Sequence, residues 1–176
     1  MIDYRIIPTE NFSEKIGELV SMLEHTREVT LNEIFDLSQR DLDYLSDKRG
    51  NSIGSLLAHI ASIEFVHQTI SSENRDLTES EYIKWRTSLE LGDTARVEIQ
   101  KNPLVYYLNE LHQVRQDTLA LLKSKQDSWL AEEKIWPSGT LYNNYYLWFH
   151  VMEDEINHRG QIRTIKRLLK SKDFNY

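Results

Sequence analysis

Apolar side chains recur every three or four residues along four long stretches of the chain, which places them on one face of an α-helix. The second stretch opens at Asn51 or Ser52, either of which can cap a helix, and Pro103 suits the first turn of the third. Four long amphipathic helices predict an all-α fold, a four-helix bundle. They cover approximately residues 13–35, 52–71, 103–125 and 143–170.

The segments between these helices differ in length. Residues 36–50 join the first two helices and are expected to hold a short helical turn. Residues 73–102 form a longer connection, in which 77–92 predict a short helix and 93–102 indicate a loop. A connection of this length often borders a functional site, and a packed spacer is the alternative. Because no repeat or low-complexity tract interrupts the chain, we expect a single domain over residues 1–176.

Two polar residues interrupt the apolar stripe of the last predicted helix. Asp154 and His158 are one turn apart and differ by only about 40° around the helix axis, so both face the core. In the second helix, His59 lies in a comparable apolar stripe. The apolar residues that define the last stripe are Leu147, Val151, Ile162, Ile165 and Leu169.

A carboxylate in an apolar core must be paired, protonated or bound to a cation, because burying it alone is costly. One interpretation is a buried hydrogen-bonded pair of Asp154 and His158 without a metal. The other is a divalent metal site that also includes His59. Two imidazoles and one carboxylate leave coordination positions open and suit zinc, nickel, iron or manganese better than calcium.

Composition and charge narrow the classes of function. A formal net charge of -7 argues against nucleic acid or an anionic membrane as the main partner. No apolar run approaches the roughly 20 residues that span a bilayer, and no secretory signal is visible, so we expect a cytoplasmic protein. The chain has no cysteine, which excludes disulfides, thiolate metal ligands and a cysteine nucleophile.

Two segments resemble motifs of the DinB superfamily, helical-bundle proteins that include YfiT-like members assigned as metal-dependent hydrolases. NSIGSLLAHIASIE (51–64) is similar to the second-helix motif, whose histidine is a metal ligand. HVMEDEINHRGQI (150–162) is similar to the fourth-helix motif, two histidines four apart followed by R-G-Q-I. The resemblance covers nearly the whole chain and implies a DinB/YfiT-like four-helix bundle with a long connection between helices 2 and 3.

The resemblance also implies a ligand set of His59, Asp154 and His158. Asp154 stands where the family commonly has histidine. Aspartate binds the same kinds of metal, but it lowers the net charge of the site by one and has a shorter reach. Around this site, Gly160 is expected to allow a close approach of helices, with Arg159 and Gln161 in supporting or interface positions.

Relatives of this kind imply a metal-dependent thiol S-transferase or a hydrolase that acts on a small molecule. The cofactors would be a divalent metal and a low-molecular-weight thiol such as bacillithiol or glutathione. A metal with open positions lowers the pKa of a bound thiol or water. Glu155 and His150 are candidate proton acceptors, whereas His25, His67 and His112 are expected at the surface or rim.

Two other functions stay open at the level of sequence. In the first, the bundle is a non-catalytic, stress-associated protein that binds a metal or a small ligand. In the second, the polar core holds no metal and the protein is an interaction module. The family resemblance also predicts a homodimer, because exposed apolar edges of the first and last helices can form an interface.

Overall fold

A computed structural model describes residues 4–173 of the chain, and its architecture is built on four long helices. They are joined by four short helices and one β-hairpin. In chain order, the elements are α1 (Glu14–Ile34), α2 (Gln39–Leu42), α3 (Ile53–Glu73), α4 (Glu79–Glu90), α5 (Gly92–Glu98), α6 (Leu104–Lys123), α7 (Asp127–Leu130), β1 (Glu133–Ile135), β2 (Leu141–Asn143) and α8 (Asn144–Asp173).

The predicted all-α bundle is confirmed, and the long helices α1, α3, α6 and α8 begin and end close to the predicted residues. Ser52 caps α3, because its hydroxyl accepts a hydrogen bond from the amide of Ser55 (3.1 Å). The short helices predicted in residues 36–50 and 77–92 are present as α2 and α4.

The prediction of a loop over residues 93–102 is wrong for its first part, because α5 covers Gly92–Glu98. This helix buries only Ala95, so its sequence lacks the apolar repeat on which the prediction depended. Leu91 and Gly92 have positive φ angles of 54° and 70°, and these separate α5 from α4. The antiparallel hairpin of β1 and β2, which pairs Lys134 with Tyr142, was not predicted either.

The helices enclose two apolar clusters, one on each side of the polar centre of the bundle. The first cluster joins α3 and α6 with the C-terminal part of α8 and includes Leu56, Leu57, Leu111, Ile162 and Ile165. The second joins α1 and α7 with the N-terminal part of α8 and includes Leu19, Leu23, Leu130, Trp148 and Val151. Helix α8 therefore takes part in both clusters.

Helices α3 and α6 approach closely at Gly54. A Cβ atom at this position would lie 2.5 Å from the Tyr107 hydroxyl oxygen, so a larger residue does not fit without a shift. In the part of the chain that the structure describes, no helix combines the length and the apolar character needed to cross a membrane.

Candidate metal centre

The structure brings His59 of α3 together with Asp154 and His158 of α8. Asp154 Oδ1 lies 3.3 Å from His158 Nε2 and 3.8 Å from His59 Nε2. The two imidazole rings are 4.8 Å apart between centroids and nearly perpendicular. One ligand atom from each residue lies within 4.8 Å of the other two, so the three side chains can reach a single ion.

His59 is oriented by the connection between α3 and α6. Its Nδ1 lies 2.8 Å from the carbonyl oxygen of Ser88, near the end of α4. A carbonyl can only accept, so Nδ1 carries a proton. Nε2, on the side of Asp154, carries a lone pair in the neutral ring and is a donor toward Asp154 in the protonated ring. Histidines that bind metals commonly donate their other nitrogen to such an acceptor. The expectation that the long connection borders the site agrees with this contact.

The electrostatics of the three residues are those of a carboxylate between two imidazoles. Burial lowers the pKa of His59, but the Asp154 carboxylate, 3.8 Å from Nε2, and the hydrogen bond to the Ser88 carbonyl outweigh burial and raise it. For the Asp154 carboxyl, burial acts in the opposite direction and raises the pKa. His158 and His59 outweigh burial and hold this pKa well below its ordinary value. Asp154 is therefore ionised at neutral pH, as a metal ligand must be.

Two buried atoms of this cluster lack hydrogen-bond partners among the described residues. They are Asp154 Oδ2 and His158 Nδ1. A carboxylate oxygen and an imidazole nitrogen left unpaired in a buried position are costly unless something else binds them. The donor set, its partial burial and the unpaired Oδ2 of Asp154 fit a divalent metal of the zinc, nickel, iron or manganese class.

A buried ion cluster adjoins the triad and takes one charged residue from each long helix. Arg27 donates to both carboxylate oxygens of Glu155 (3.0 and 3.1 Å) and to Glu64 (2.7 Å). Arg115 donates to both oxygens of Glu64 (2.7 and 3.2 Å). All four side chains are nearly inaccessible to solvent. Two positive and two negative charges thus balance one another in the core.

Glu64 lies at the centre of this ion cluster. Burial alone would raise its pKa, but Arg115 and Arg27 outweigh burial and hold the pKa at about 2. The Thr118 hydroxyl donates a further hydrogen bond to the same carboxylate (2.7 Å). Arg27, Glu64 and Arg115 were not recognised from the sequence, although Glu64 stands out as a charged residue in the apolar run ASIEFV.

The two candidate proton acceptors lie in different environments. Both oxygens of Glu155 are engaged by Arg27 in the ion cluster, so we do not retain Glu155 as a proton acceptor. The His150 side chain is 38% exposed, and its Nδ1 lies 3.3 Å from Glu153. His150 is one helical turn from Asp154 and keeps its candidate role.

Two residues near the site differ from what the sequence predicts. His67 was predicted at the surface or rim, but it is only 7% exposed, and burial lowers its pKa to about 4. His112 is exposed, as expected. Gly160 does not mark a close approach of helices, because a Cβ there would meet no atom within 4 Å in the described structure. It lines a cavity of about 390 Å³ together with Asn157 and Gln161.

Four long helices with His59, Asp154 and His158 gathered between α3 and α8 define a helical-bundle protein with a candidate metal centre. The family model described as Mycothiol-S-transferase matches residues 18–170. The chain therefore belongs to this family within the DinB/YfiT-like superfamily.

Two solved structures support the fold. A conserved protein from Enterococcus faecalis superposes with a TM-score of 0.67 at 13% identity, over 87% of this chain and 95% of that chain. A protein from Streptococcus pneumoniae gives the same TM-score at 18% identity, over 87% and 91%. A comparison with curated proteins finds no match.

Proposed function

We propose that the protein is a metal-dependent thiol S-transferase that acts on a small molecule. The observation that carries this proposal is the convergence of His59, Asp154 and His158, with the buried Oδ2 of Asp154 unpaired. Membership of a family described as Mycothiol-S-transferase supports a thiol as one reactant.

His59, Asp154 and His158 would hold the metal through two imidazole nitrogens and one carboxylate oxygen. A divalent ion with open positions lowers the pKa of a bound thiol, so that the thiolate predominates at neutral pH. The Ser88 carbonyl fixes the orientation of the His59 ring. The charge of Asp154 offsets part of the metal charge, and His150 is the candidate that receives the thiol proton.

The thiol must come from outside the chain, because the sequence has no cysteine. The family description makes mycothiol the first candidate, and bacillithiol and glutathione are the other low-molecular-weight thiols to compare. The second reactant would be a small electrophile whose carbon forms the new bond to sulfur. Its bond to a leaving group breaks in the same step, and the leaving group departs with that electron pair.

The test is turnover by protein that has been stripped of metal and reloaded with zinc, nickel or manganese. Each form is assayed with the three thiols and a model alkylating electrophile, and thiol consumption is followed. We expect metal-dependent turnover with at least one thiol, and a loss of at least tenfold in His158→Ala. His112→Ala, an exposed histidine on α6, is the control. If no combination of metal and thiol shows metal-dependent thiol consumption, the transferase proposal is contradicted. Hydrolysis of an ester or amide would then favour the hydrolase alternative.

One observation favours a second candidate, a non-catalytic protein that binds a metal or a small ligand. The side chains of His59, Asp154 and His158 are only 11%, 15% and 12% exposed, which leaves little open surface for a substrate. This candidate predicts tight metal binding and a higher melting temperature with metal, but no turnover with any thiol, ester or amide.

A further inference from the structure

A second pair of histidines lies beside the triad and uses the same two helices. His67 of α3 and His150 of α8 have ring centroids 5.4 Å apart, with the rings tilted by 51°. Because α3 and α8 run antiparallel, this pair repeats the contact of His59 with His158 two helical turns further along. Asp154 lies between the two pairs, one turn from His150 and one turn from His158.

Both histidines of the second pair are held through Nδ1. His67 Nδ1 lies 2.8 Å from the carbonyl oxygen of Ile63, and His150 Nδ1 lies 3.3 Å from the carboxylate of Glu153. These are the acceptors that commonly orient metal-binding imidazoles, and they leave Nε2 as the free nitrogen of each ring. The His67 side chain is largely buried, and its Nε2 makes no hydrogen bond among the described residues, so this nitrogen is available to an ion that reaches the pair.

The separation of the rings fits two imidazoles on one ion. With metal–nitrogen distances of about 2.0–2.1 Å and a tetrahedral angle, two ring centroids lie about 5 Å apart. The observed 5.4 Å is close to this value. An ordinary pair of packed aromatic rings shows similar distances, but it does not require an acceptor at Nδ1 of both rings, which leaves both Nε2 lone pairs available for an ion.

We propose that His67 and His150 form a second site for a divalent ion of the zinc or nickel class, next to the negative charge of Asp154. Within the described residues, only the triad brings three ligand atoms within 4.8 Å of one another. The second site therefore has two protein ligands and water in its other positions, and it binds more weakly than the triad.

An ion at this second site would occupy Nε2 of His150. The same nitrogen cannot accept a proton from a thiol while it binds a metal, so the two roles of His150 exclude each other. This inference concerns binding alone and does not depend on the proposed transferase activity.

Calorimetric titration of the full-length, metal-stripped protein with zinc chloride tests the inference. We expect two classes of bound zinc, of which the weaker has at least tenfold lower affinity. His150→Ala, a substitution of a half-exposed side chain, should remove only the weaker class, and so should His67→Gln. His158→Ala should reduce the tighter class and retain the weaker one, whereas His112→Ala should retain both. Circular dichroism confirms that each variant is folded.

The outcomes separate this inference from the proposed function. If the wild type binds a single tight equivalent, or if His150→Ala leaves both classes unchanged, the second site does not exist and the triad proposal stands. If only the weaker class is present and His150→Ala removes it, the second site stands and the triad proposal fails.

Discussion

The charge of Asp154 determines how the triad behaves with and without a metal. Its Oδ1 pairs with both histidines, whereas its Oδ2 has no partner among the described residues. The carboxylate is thus already ionised and desolvated before a metal binds. Metal binding therefore does not have to supply the free energy of these two changes. Histidine, which is common at this position in the DinB motif, would supply nitrogen without the negative charge.

Substitution of Asp154 tests its role as a ligand. We expect Asp154→Ala to lower zinc affinity at least tenfold, because it removes a ligand and leaves two imidazoles. Asp154→His should retain a substantial part of the affinity, since it restores the ligand type usual in the family. Zinc titration in competition with a chelator measures both. The control is Asn157→Ala, an exposed position on the same helix; equal affinities for Asp154→Ala and wild type would show that Asp154 is not a ligand.

Glu64 should make stability depend on pH under acidic conditions. Its pKa is about 2 in the folded protein and about 4.5 ordinarily, so its contribution is complete above pH 4.5 and is lost as the pH falls toward 2. The difference corresponds to roughly 3 kcal/mol. We expect Glu64→Gln to be destabilised by roughly 3–5 kcal/mol at pH 7, because it leaves two buried arginines short of charge.

Denaturant unfolding between pH 7 and pH 2.5 measures this effect. The difference in unfolding free energy between wild type and Glu64→Gln should shrink as the pH falls. Glu24→Gln is the control, because Glu24 also pairs with Arg115 but its side chain is half exposed. A difference that is constant over the whole pH range would refute the role assigned to the Glu64 charge.

At the scale of elements, the close contact between α3 and α6 leaves no room for a side chain at Gly54. At Gly160, by contrast, the described structure has room for one. Gly54→Ala places a Cβ against the Tyr107 ring and should destabilise the fold by roughly 1–3 kcal/mol. Gly160→Ala fills open space within α8 and should stabilise by roughly 0.5–1 kcal/mol, since alanine favours a helix. Thermal unfolding of the two variants decides the matter; equal shifts would contradict the packing described for α3 and α6.

The elements that could be predicted from sequence are those with their own apolar period. Asp154 and His158 were recognisable because they interrupt such a period on α8, and His59 because it does so on α3. Helix α5 and the hairpin were missed because each buries few apolar side chains. The ion cluster was missed for another reason, since the partners of Arg27 depend on the relative position of four helices, which no single segment encodes.

At the scale of the whole molecule, the ion cluster and the triad meet on α8, where Asp154 and Glu155 are consecutive. Glu155 fixes α8 against Arg27 of α1, and Asp154 faces His59 of α3. The register of α8 against α1 and α3 is thus set by charged contacts as well as by apolar packing. The expectations of a single domain, a homodimer and a cytoplasmic location stay predictions.

Metal binding should therefore stabilise the entire bundle. Zinc at one hundred times its dissociation constant adds about 2.7 kcal/mol to the unfolding free energy if it binds the folded state alone. For a chain of 176 residues this corresponds to a rise in melting temperature of roughly 5–10 °C. Differential scanning calorimetry should show the rise, and a chelator should reverse it. The same rise in a His59→Ala/His158→Ala variant would mean that zinc acts at another site.

The most direct test of the central claim is a crystal structure of the zinc-loaded protein with anomalous data recorded on both sides of the zinc absorption edge. We expect a strong anomalous peak about 2.0–2.2 Å from nitrogen atoms of His59 and His158 and from a carboxylate oxygen of Asp154. An anomalous map in which this position is empty while His158 and Asp154 remain paired with each other would contradict it.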